Sequence, residues 1–195
     1  MRFSFALVAC LMASLPTAAW SHKLIEANVA SEVARSDLTV VPAIEWNRLN
    51  ERPGSEAERW TLDGELLNDL LFFGDISEGD TLFRDRDRRN NPLPEFSQSM
   101  LLIDIPEFYG SSVRIAKGAR AFELGAIEPV EFLANPGVRF DFQTIGGDDL
   151  RRKGRAYAAL VEGKLYLISY EAPEVYFFDK NLTDFEQVVS SASIP

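Results

Sequence analysis

The sequence predicts one α+β domain, an antiparallel β-sheet of about six strands covered by two helices, one of them C-terminal. The clearest strand signal is the alternation of Val138, Phe140 and Phe142 with polar residues, which gives a strand one apolar face. The clearest helix signal lies between Leu182 and Ala192, where apolar residues recur at the spacing of one helix face. A chain of 195 residues without an internal repeat or a long linker favours a single core.

Strand signals begin in the N-terminal part of this domain. The β-prone run over 38–46 contains Pro42, which favours an edge strand or a bend because proline cannot donate a ladder hydrogen bond. Two further β-prone runs, 58–62 and 66–73, flank Asp63-Gly64 and predict a hairpin with a tight turn.

The remaining elements follow in the second half of the chain. Residues 74–94 are polar with alternating charges and predict a solvated loop. Asp104-Ile105-Pro106-Glu107 places a capping side chain, an early proline and an acid at a helix start, and this helix is expected to reach position 116. Three β-prone runs within 138–170, joined through glycine-containing turns, predict an antiparallel meander.

The start of the chain has the features of a secretory signal peptide. Arg2 precedes an uncharged apolar run, Pro16 ends that run, and Thr17-Ala18-Ala19 is a small-residue cleavage site. Cys10 follows a Leu-Val-Ala box typical of lipoproteins, so lipidation of Cys10 is the alternative to cleavage after Ala19. The expected segments are a signal peptide over 1–19, a lead-in over 20–37 that is either ordered or a flexible tether, and the α+β domain over 38–195.

Export predicts a periplasmic or secreted protein, or a lipid-anchored one if Cys10 is modified. No apolar run after the signal approaches the roughly 20 residues that span a bilayer, so we expect no transmembrane helix in the mature chain. The formal net charge of -10 disfavours nucleic acid as a partner, because both would carry the same sign. The partners that fit are an unknown envelope protein or a small apolar ligand.

The sequence predicts no catalytic residues. The only histidine, His22, follows the expected cleavage site, and the only cysteine, Cys10, would leave with the signal, so a positioned Ser-His or Cys-His pair is missing. Zinc lacks its usual ligands and the acidic turns lack the spacing of a calcium loop, so we predict no metal and no cofactor. Paired carboxylates, as in glycoside hydrolases, remain open because they require a distance that sequence does not show.

Two segments are candidate partner-binding sites. Four large apolar residues in succession start at Val175, and since they cannot all face one core, at least one is expected to be exposed. The segment 84–89 is the most basic stretch of an acidic chain, although its two aspartates offset part of that charge and a plain solvated loop is the alternative. The candidate residues are Tyr176, Phe177, Phe178, Arg84, Arg86, Arg88 and Arg89.

Four stretches serve as family markers: Pro42 with Trp46, the hairpin over 60–64 with Asn68 and Phe72, the segment 84–94, and the run over 166–178. Together they resemble a group of exported bacterial proteins of unknown function, described as secreted or lipoprotein-like. The order of elements is also similar to the PsbP/Mog1-like fold. That resemblance implies an accessory or adaptor role and identifies no catalytic residue.

We therefore expect a non-catalytic accessory or binding domain of the cell envelope. The alternatives are a small cell-envelope hydrolase that uses paired carboxylates and a carrier of an apolar ligand. A hydrolase requires a cleft with two facing acids, one of them with a raised pKa. A carrier requires a closed cavity between sheet and helix, and a binding domain requires an exposed apolar patch rimmed by polar groups.

Overall fold

The computed structural model describes residues 22–195 of the chain; the predicted signal peptide over 1–19, with Cys10, lies outside these residues. A short 3-10 helix, Leu102–Asp104, leads directly into the first α-helix. The elements in chain order are β1 (Lys23–Ile25), β2 (Ser31–Glu32), β3 (Thr39–Val40), β4 (Trp46–Arg48), β5 (Ala57–Thr61), β6 (Asp69–Ile76), α1 (Ile105–Lys117), β7 (Ala121–Phe132), β8 (Asn135–Ile145), β9 (Arg151–Val161), β10 (Lys164–Pro173) and α2 (Phe177–Ser190).

Eight strands form one antiparallel sheet in the order β1-β4-β5-β6-β10-β9-β8-β7, while β2 and β3 pair separately. The expected number of about six strands is therefore wrong. The strands outside the six β-prone runs are the two edge strands, β1 and β7. β1 has three residues, too few to show an alternation, and most residues of β7 are exposed, so β7 lacks the alternation of a half-buried strand. The lead-in is ordered from Lys23, because β1 pairs with β4.

The two helices cover opposite faces of this sheet, which is the expected pair of covering helices. On one face α1 packs Tyr109 and Val113 against alternate residues of β6, β8 and β10. On the other face α2 packs Phe185 and Val188 against Tyr170 and the remaining strand residues, with the rings of Tyr170 and Phe185 5.4 Å apart. One large aromatic side chain buried in this way contributes about 2–3 kcal/mol to folding.

Both helices begin and end for identifiable reasons. Pro106 lies in the first turn of α1, where no backbone donor is required, and Gly118 ends the helix at φ 62°. α2 begins at Phe177, five residues before Leu182, where the amphipathic pattern starts. In residues 22–195, neither helix combines the length and apolar character that crossing a bilayer requires.

The hairpin around Asp63-Gly64 is present but wider than a tight turn. β5 and β6 pair directly, and residues 62–68 form the loop between them. The predicted solvated loop after β6 has a mixed character: Leu82, Phe83 and Leu93 are buried in the core beneath α1, whereas the arginines of 84–89 are exposed.

Candidate functional site

A cleft of about 430 Å³ lies on the α1 face of the sheet. Strands β5, β6 and β10 form its floor, the C-terminal half of α1 forms one wall, and the loops after β4 and β6 form the other. Its charged lining residues are Glu51, Arg52, Arg59, Glu65, Asp69, Arg84, Arg86, Lys117, Asp148, Arg152 and Glu171.

The floor of the cleft holds three charged groups that contact one another. The Lys117 Nζ donates to Asp69 Oδ2 at 2.8 Å and to Glu171 Oε2 at 2.7 Å. Lys117 reaches them because α1 ends above the point where β6 begins and β10 finishes. The carboxylates are nearly enclosed, with side chains 10% and 7% exposed, whereas the Lys117 side chain is 28% exposed.

Neighbouring groups complete this cluster. Arg59 Nε donates to Asp69 Oδ1 at 2.5 Å, and the Thr144 hydroxyl donates to Glu171 Oε1. Burial raises the pKa of Asp69, but the charges of Lys117 and Arg59 outweigh burial and hold it below its usual value. For Lys117, burial lowers the pKa, and the two carboxylates outweigh it so that the net shift is upward. Asp69 and Lys117 are therefore both charged at neutral pH.

Two exposed arginines, Arg84 and Arg86, form an arginine rim on the wall made by the loop after β6. Arg84 and Arg86, two of the predicted partner-binding residues, line the cleft. Arg86 bonds to Glu51 at 2.9 Å in an exposed pair, while the Arg84 side chain forms no ion pair within residues 22–195. Arg88 instead lines a smaller pocket of about 160 Å³ with Glu95, and Arg89 lines neither.

The second predicted segment, which we call the 175–178 turn, follows Pro173, the last residue of β10, which lines the cleft. Its backbone makes a γ-turn centred on Tyr176, with φ 77°, ψ -56° and a hydrogen bond from the Phe177 N–H to the Val175 carbonyl. Positive φ at a tyrosine is strained. Val175 is 82% exposed and Tyr176 65% exposed.

The other two aromatic residues of this turn point inward to different degrees. Phe178 is buried against Tyr170, with ring centroids 5.6 Å apart, and Phe177 is half-buried. At least one large side chain in the run therefore faces solvent, as the sequence indicated. Leu66, at 77% exposure, adds a third exposed apolar residue where the 62–68 loop borders the cleft.

The sequence analysis missed Asp69, Lys117 and Glu171. The available signal was an acid near one end of each of two long apolar strands, Asp69 in β6 and Glu171 in β10, where a charge is rarely buried without a partner. No group of three or more potential metal ligands occurs in the part of the chain that the structure describes. The acidic turn residues instead pair with arginine: Asp148 with Arg152, and Asp149 with Arg120.

Comparison with known proteins identifies a similar fold among solved structures. No family model and no curated protein matches the chain. The solution structure of cyanobacterial PsbP from Synechocystis sp. PCC 6803 is similar to this chain: the two sequences are 16% identical, the match covers 95% of this chain and 99% of PsbP, and the TM-score is 0.55.

Two more distant structures are also similar to parts of the fold. They are PA94 of Pseudomonas aeruginosa, a protein of unknown function (9% identity, 82% of this chain and 91% of its own, TM-score 0.42), and LpqN of Mycobacterium tuberculosis, involved in cell envelope biogenesis (7% identity, 89% and 86%, TM-score 0.36).

The likeness to cyanobacterial PsbP confirms the expected fold: the chain is a single α+β domain of the PsbP-like type. At 16% identity this likeness concerns the fold alone.

Proposed function

We propose that this chain is an exported, non-catalytic accessory domain of the cell envelope that binds a partner through its cleft and the 175–178 turn. The observation that carries the proposal is the strained γ-turn at Tyr176, which holds Val175 and Tyr176 in solvent two and three residues after Pro173, a residue that lines the cleft. Backbone strain and exposed large apolar side chains both oppose stability, and their coincidence points to a requirement other than folding.

The chemistry of the cleft supports binding over hydrolysis. Asp69 and Glu171 are the enclosed pair of carboxylates there, and Lys117 bonds to both. A general acid needs a raised pKa; burial raises the pKa of Asp69, but the charges of Lys117 and Arg59 outweigh burial and lower it overall. An apolar carrier is also a poor fit, because the cleft is open and 11 of its 25 lining residues are charged.

Export belongs to the same proposal and has its own test. Cleavage of the signal over 1–19 leaves a mature chain that starts at Trp20, whereas lipidation would retain Cys10 with a diacylglyceryl group. We expect intact-mass spectrometry of the protein from its native host to give the mass of the chain cut after Ala19. A lipid-modified Cys10 would place the domain on a membrane, and an uncut chain would contradict export.

Site-specific photocrosslinking tests partner binding. Tyr176 or Leu66 is replaced by p-benzoylphenylalanine in the full-length chain, and cells of the native host are irradiated. We expect a discrete crosslinked product of higher mass from both positions, because both side chains border the proposed interface.

The control is Leu101, a large apolar side chain that is 65% exposed. It precedes α1, whereas the cleft borders the other end of that helix, about 20 Å away for 13 residues. Products of equal yield from all three positions, or none from positions 176 and 66, would contradict the proposal.

A further inference from the structure

We propose that the cleft binds an acidic segment of a protein partner, whose carboxylates are taken by Arg84 and Arg86 while adjoining apolar side chains contact Leu66. This inference rests on the proposed function and adds the chemical class of the partner to it. Five properties of the cleft carry it: its charge balance, its free donors, its rigid wall, the surplus positive charge behind that wall, and its mixed rim.

The charge balance of the cleft is opposite to that of the chain. Six cationic side chains line it against five acidic ones, although the whole chain carries a formal charge of -10. The lining thus carries a formal charge of +1, so an anionic group meets less repulsion in the cleft than over the rest of this acidic protein.

The cations of the cleft differ in how far they are already engaged. Lys117 is held between two enclosed carboxylates, and Arg59 bonds to one of them. Arg84 has no acidic partner within residues 22–195, and Arg86 has only Glu51, in a pair whose side chains are 74% and 65% exposed. Such an exposed pair contributes little to stability, so its arginine exchanges partners readily. Donors for an incoming carboxylate are therefore concentrated on the wall formed by 84–86.

That wall is held in place by close packing of two loops. The Arg84 N–H donates to the Pro53 carbonyl at 2.7 Å. Gly54 lies so close that a Cβ there would be 2.3 Å from the Leu82 carbonyl oxygen, and the intervening Phe83 is buried. A backbone fixed in this way presents Arg84 with less entropy loss on binding than a free loop would.

Surplus positive charge extends behind the wall. Burial lowers the pKa of Arg52, which lines the cleft, and the nearby charges of Arg35 and Arg48 lower it further against the opposing effect of Glu58. Arg48 and Arg52 share this one buried carboxylate at 3.5 and 3.6 Å. A further anion beside Arg52 would relieve repulsion between like charges.

The mixed rim favours a protein segment over an anionic membrane. Glu51 and Glu65 separate the cationic positions, so single carboxylates spaced along a peptide fit between them better than a continuous anionic surface. The overall charge of -10 repels such a surface over the rest of the protein. Leu66 offers an apolar contact that a peptide side chain can use.

Peptide selection tests the class of ligand even while the partner protein itself is unidentified. The purified mature protein is panned at low salt against a phage library of random dodecapeptides, in parallel with the variants Arg84→Gln and Arg89→Gln. We expect peptides rich in Asp and Glu with an interspersed apolar residue to be enriched on the unmodified protein and on Arg89→Gln, and not on Arg84→Gln.

Arg89 is the matched control because it lies in the same loop, is exposed, and does not line the cleft. For the most enriched peptide, made synthetically, Arg84→Gln should raise the Kd roughly tenfold or more, the effect of losing one charge-assisted hydrogen bond. Arg89→Gln should leave the Kd within about twofold, as for an exposed charge outside an interface. Equal urea midpoints of the three proteins would exclude misfolding as the cause.

Three outcomes would overturn the inference: no enrichment, enrichment of peptides without acidic residues, or equal affinity of the selected peptide for Arg84→Gln. Flotation with vesicles of phosphatidylglycerol and phosphatidylethanolamine that depends on Arg84 would instead assign the rim to a membrane. In each case crosslinking at Tyr176 and Leu66 is a separate result, so the class of ligand can fail while partner binding through this surface stands.

Discussion

At the scale of single residues, Lys117 supplies the positive charge that compensates two enclosed carboxylates. Its ammonium is within 2.8 Å of both Asp69 and Glu171. Lys117→Met would leave these acids with Arg59 and Thr144 alone. We expect the free energy of unfolding to fall by about 3 kcal/mol, the lower end of the range for breaking a buried ion pair, because Lys117 is partly exposed. Urea unfolding at pH 7 measures this loss.

Arg114→Met is the matched control for that experiment. Arg114 lies on the same helix and pairs with Glu107 in an exposed ion pair, so its loss should cost less than about 1 kcal/mol. If Lys117→Met cost no more than Arg114→Met, the cluster would not contribute to stability. Adding Asp69→Asn and Glu171→Gln to Lys117→Met should recover part of the loss, since the uncompensated charges are then gone.

The γ-turn makes a second prediction at the residue scale. Tyr176→Gly removes both the side chain and the cost of φ 77°, whereas Tyr176→Ala removes the side chain alone. We expect the Gly variant to be more stable than the Ala variant by about 1 kcal/mol, the order of strain in a sparsely populated backbone region. Thermal unfolding of the two variants gives the difference directly. A Gly variant less stable than the Ala variant by about 0.5–1 kcal/mol, the entropic cost of glycine alone, would mean that the turn is unstrained and would remove the main support for the proposed interface.

At the scale of elements, hydrogen bonds to the carboxylate of Asp63 link α2 to the 62–68 loop. Asp63 accepts hydrogen bonds from Lys180 at 2.5 Å, from Asn181 at 2.7 Å and from Asn68 at 2.8 Å. The N-terminal part of α2 has no capping side chain of its own. Asp63 therefore secures the start of the helix and, with it, the position of the 175–178 turn.

Asp63→Ala should loosen the start of α2 while leaving its end in place. We expect the backbone amides of the first helical turns to exchange with deuterium at least about tenfold faster, while those of Val188 and Val189, buried in the core, keep their protection. Asp184→Ala is the control, because Asp184 lies on the same helix and forms no hydrogen bond or ion pair within residues 22–195. Equal exchange in both variants would contradict a role of Asp63 in fixing the turn.

Elements whose signal is local could be predicted from sequence. The alternation around Phe140 predicted β8, and the spacing from Leu182 predicted α2, because each depends on one face of one element. The short strand β1 and the width of the 62–68 loop were missed, since both depend on pairing with distant residues. Arg84 and Arg86 could be named from local charge, but Lys117 meets Asp69 and Glu171 only through the fold, across 48 and 54 positions.

At the scale of the whole molecule, the sheet joins two antiparallel units through the pairing of β6 with β10. β4, β5 and β6 form one unit, and β7 to β10 form the other. Asp69 and Glu171 occupy partner positions in this pairing, so the charged cluster lies directly on the junction. Lys117 adds α1 to that junction, and a change in the protonation of the cluster is therefore expected to affect the whole domain.

The stability of the molecule should consequently change at the extremes of pH. Burial and hydrogen bonds to Asp37 raise the pKa of Tyr166 above its ordinary 10.0, and burial raises that of Tyr170. Because the folded pKa is the higher one, this stability is complete below pH 10 and is lost as pH rises. The pKa of Asp69 is lowered from 3.8, so its contribution is present above pH 3.8 and lost as pH falls further.

Urea midpoints measured from pH 3 to pH 11 should therefore form a broad plateau with a falling limb at each end. Tyr166→Phe tests the alkaline limb, because phenylalanine cannot ionise and no longer donates to Asp37. We expect this variant to be about 1 kcal/mol less stable at pH 7, for the lost hydrogen bond, and to lose less stability than the unmodified protein between pH 9 and pH 11. A pronounced loss of stability between pH 5 and pH 9 would contradict this account, because the pKa of Asp69 is shifted below that interval and those of both tyrosines above it.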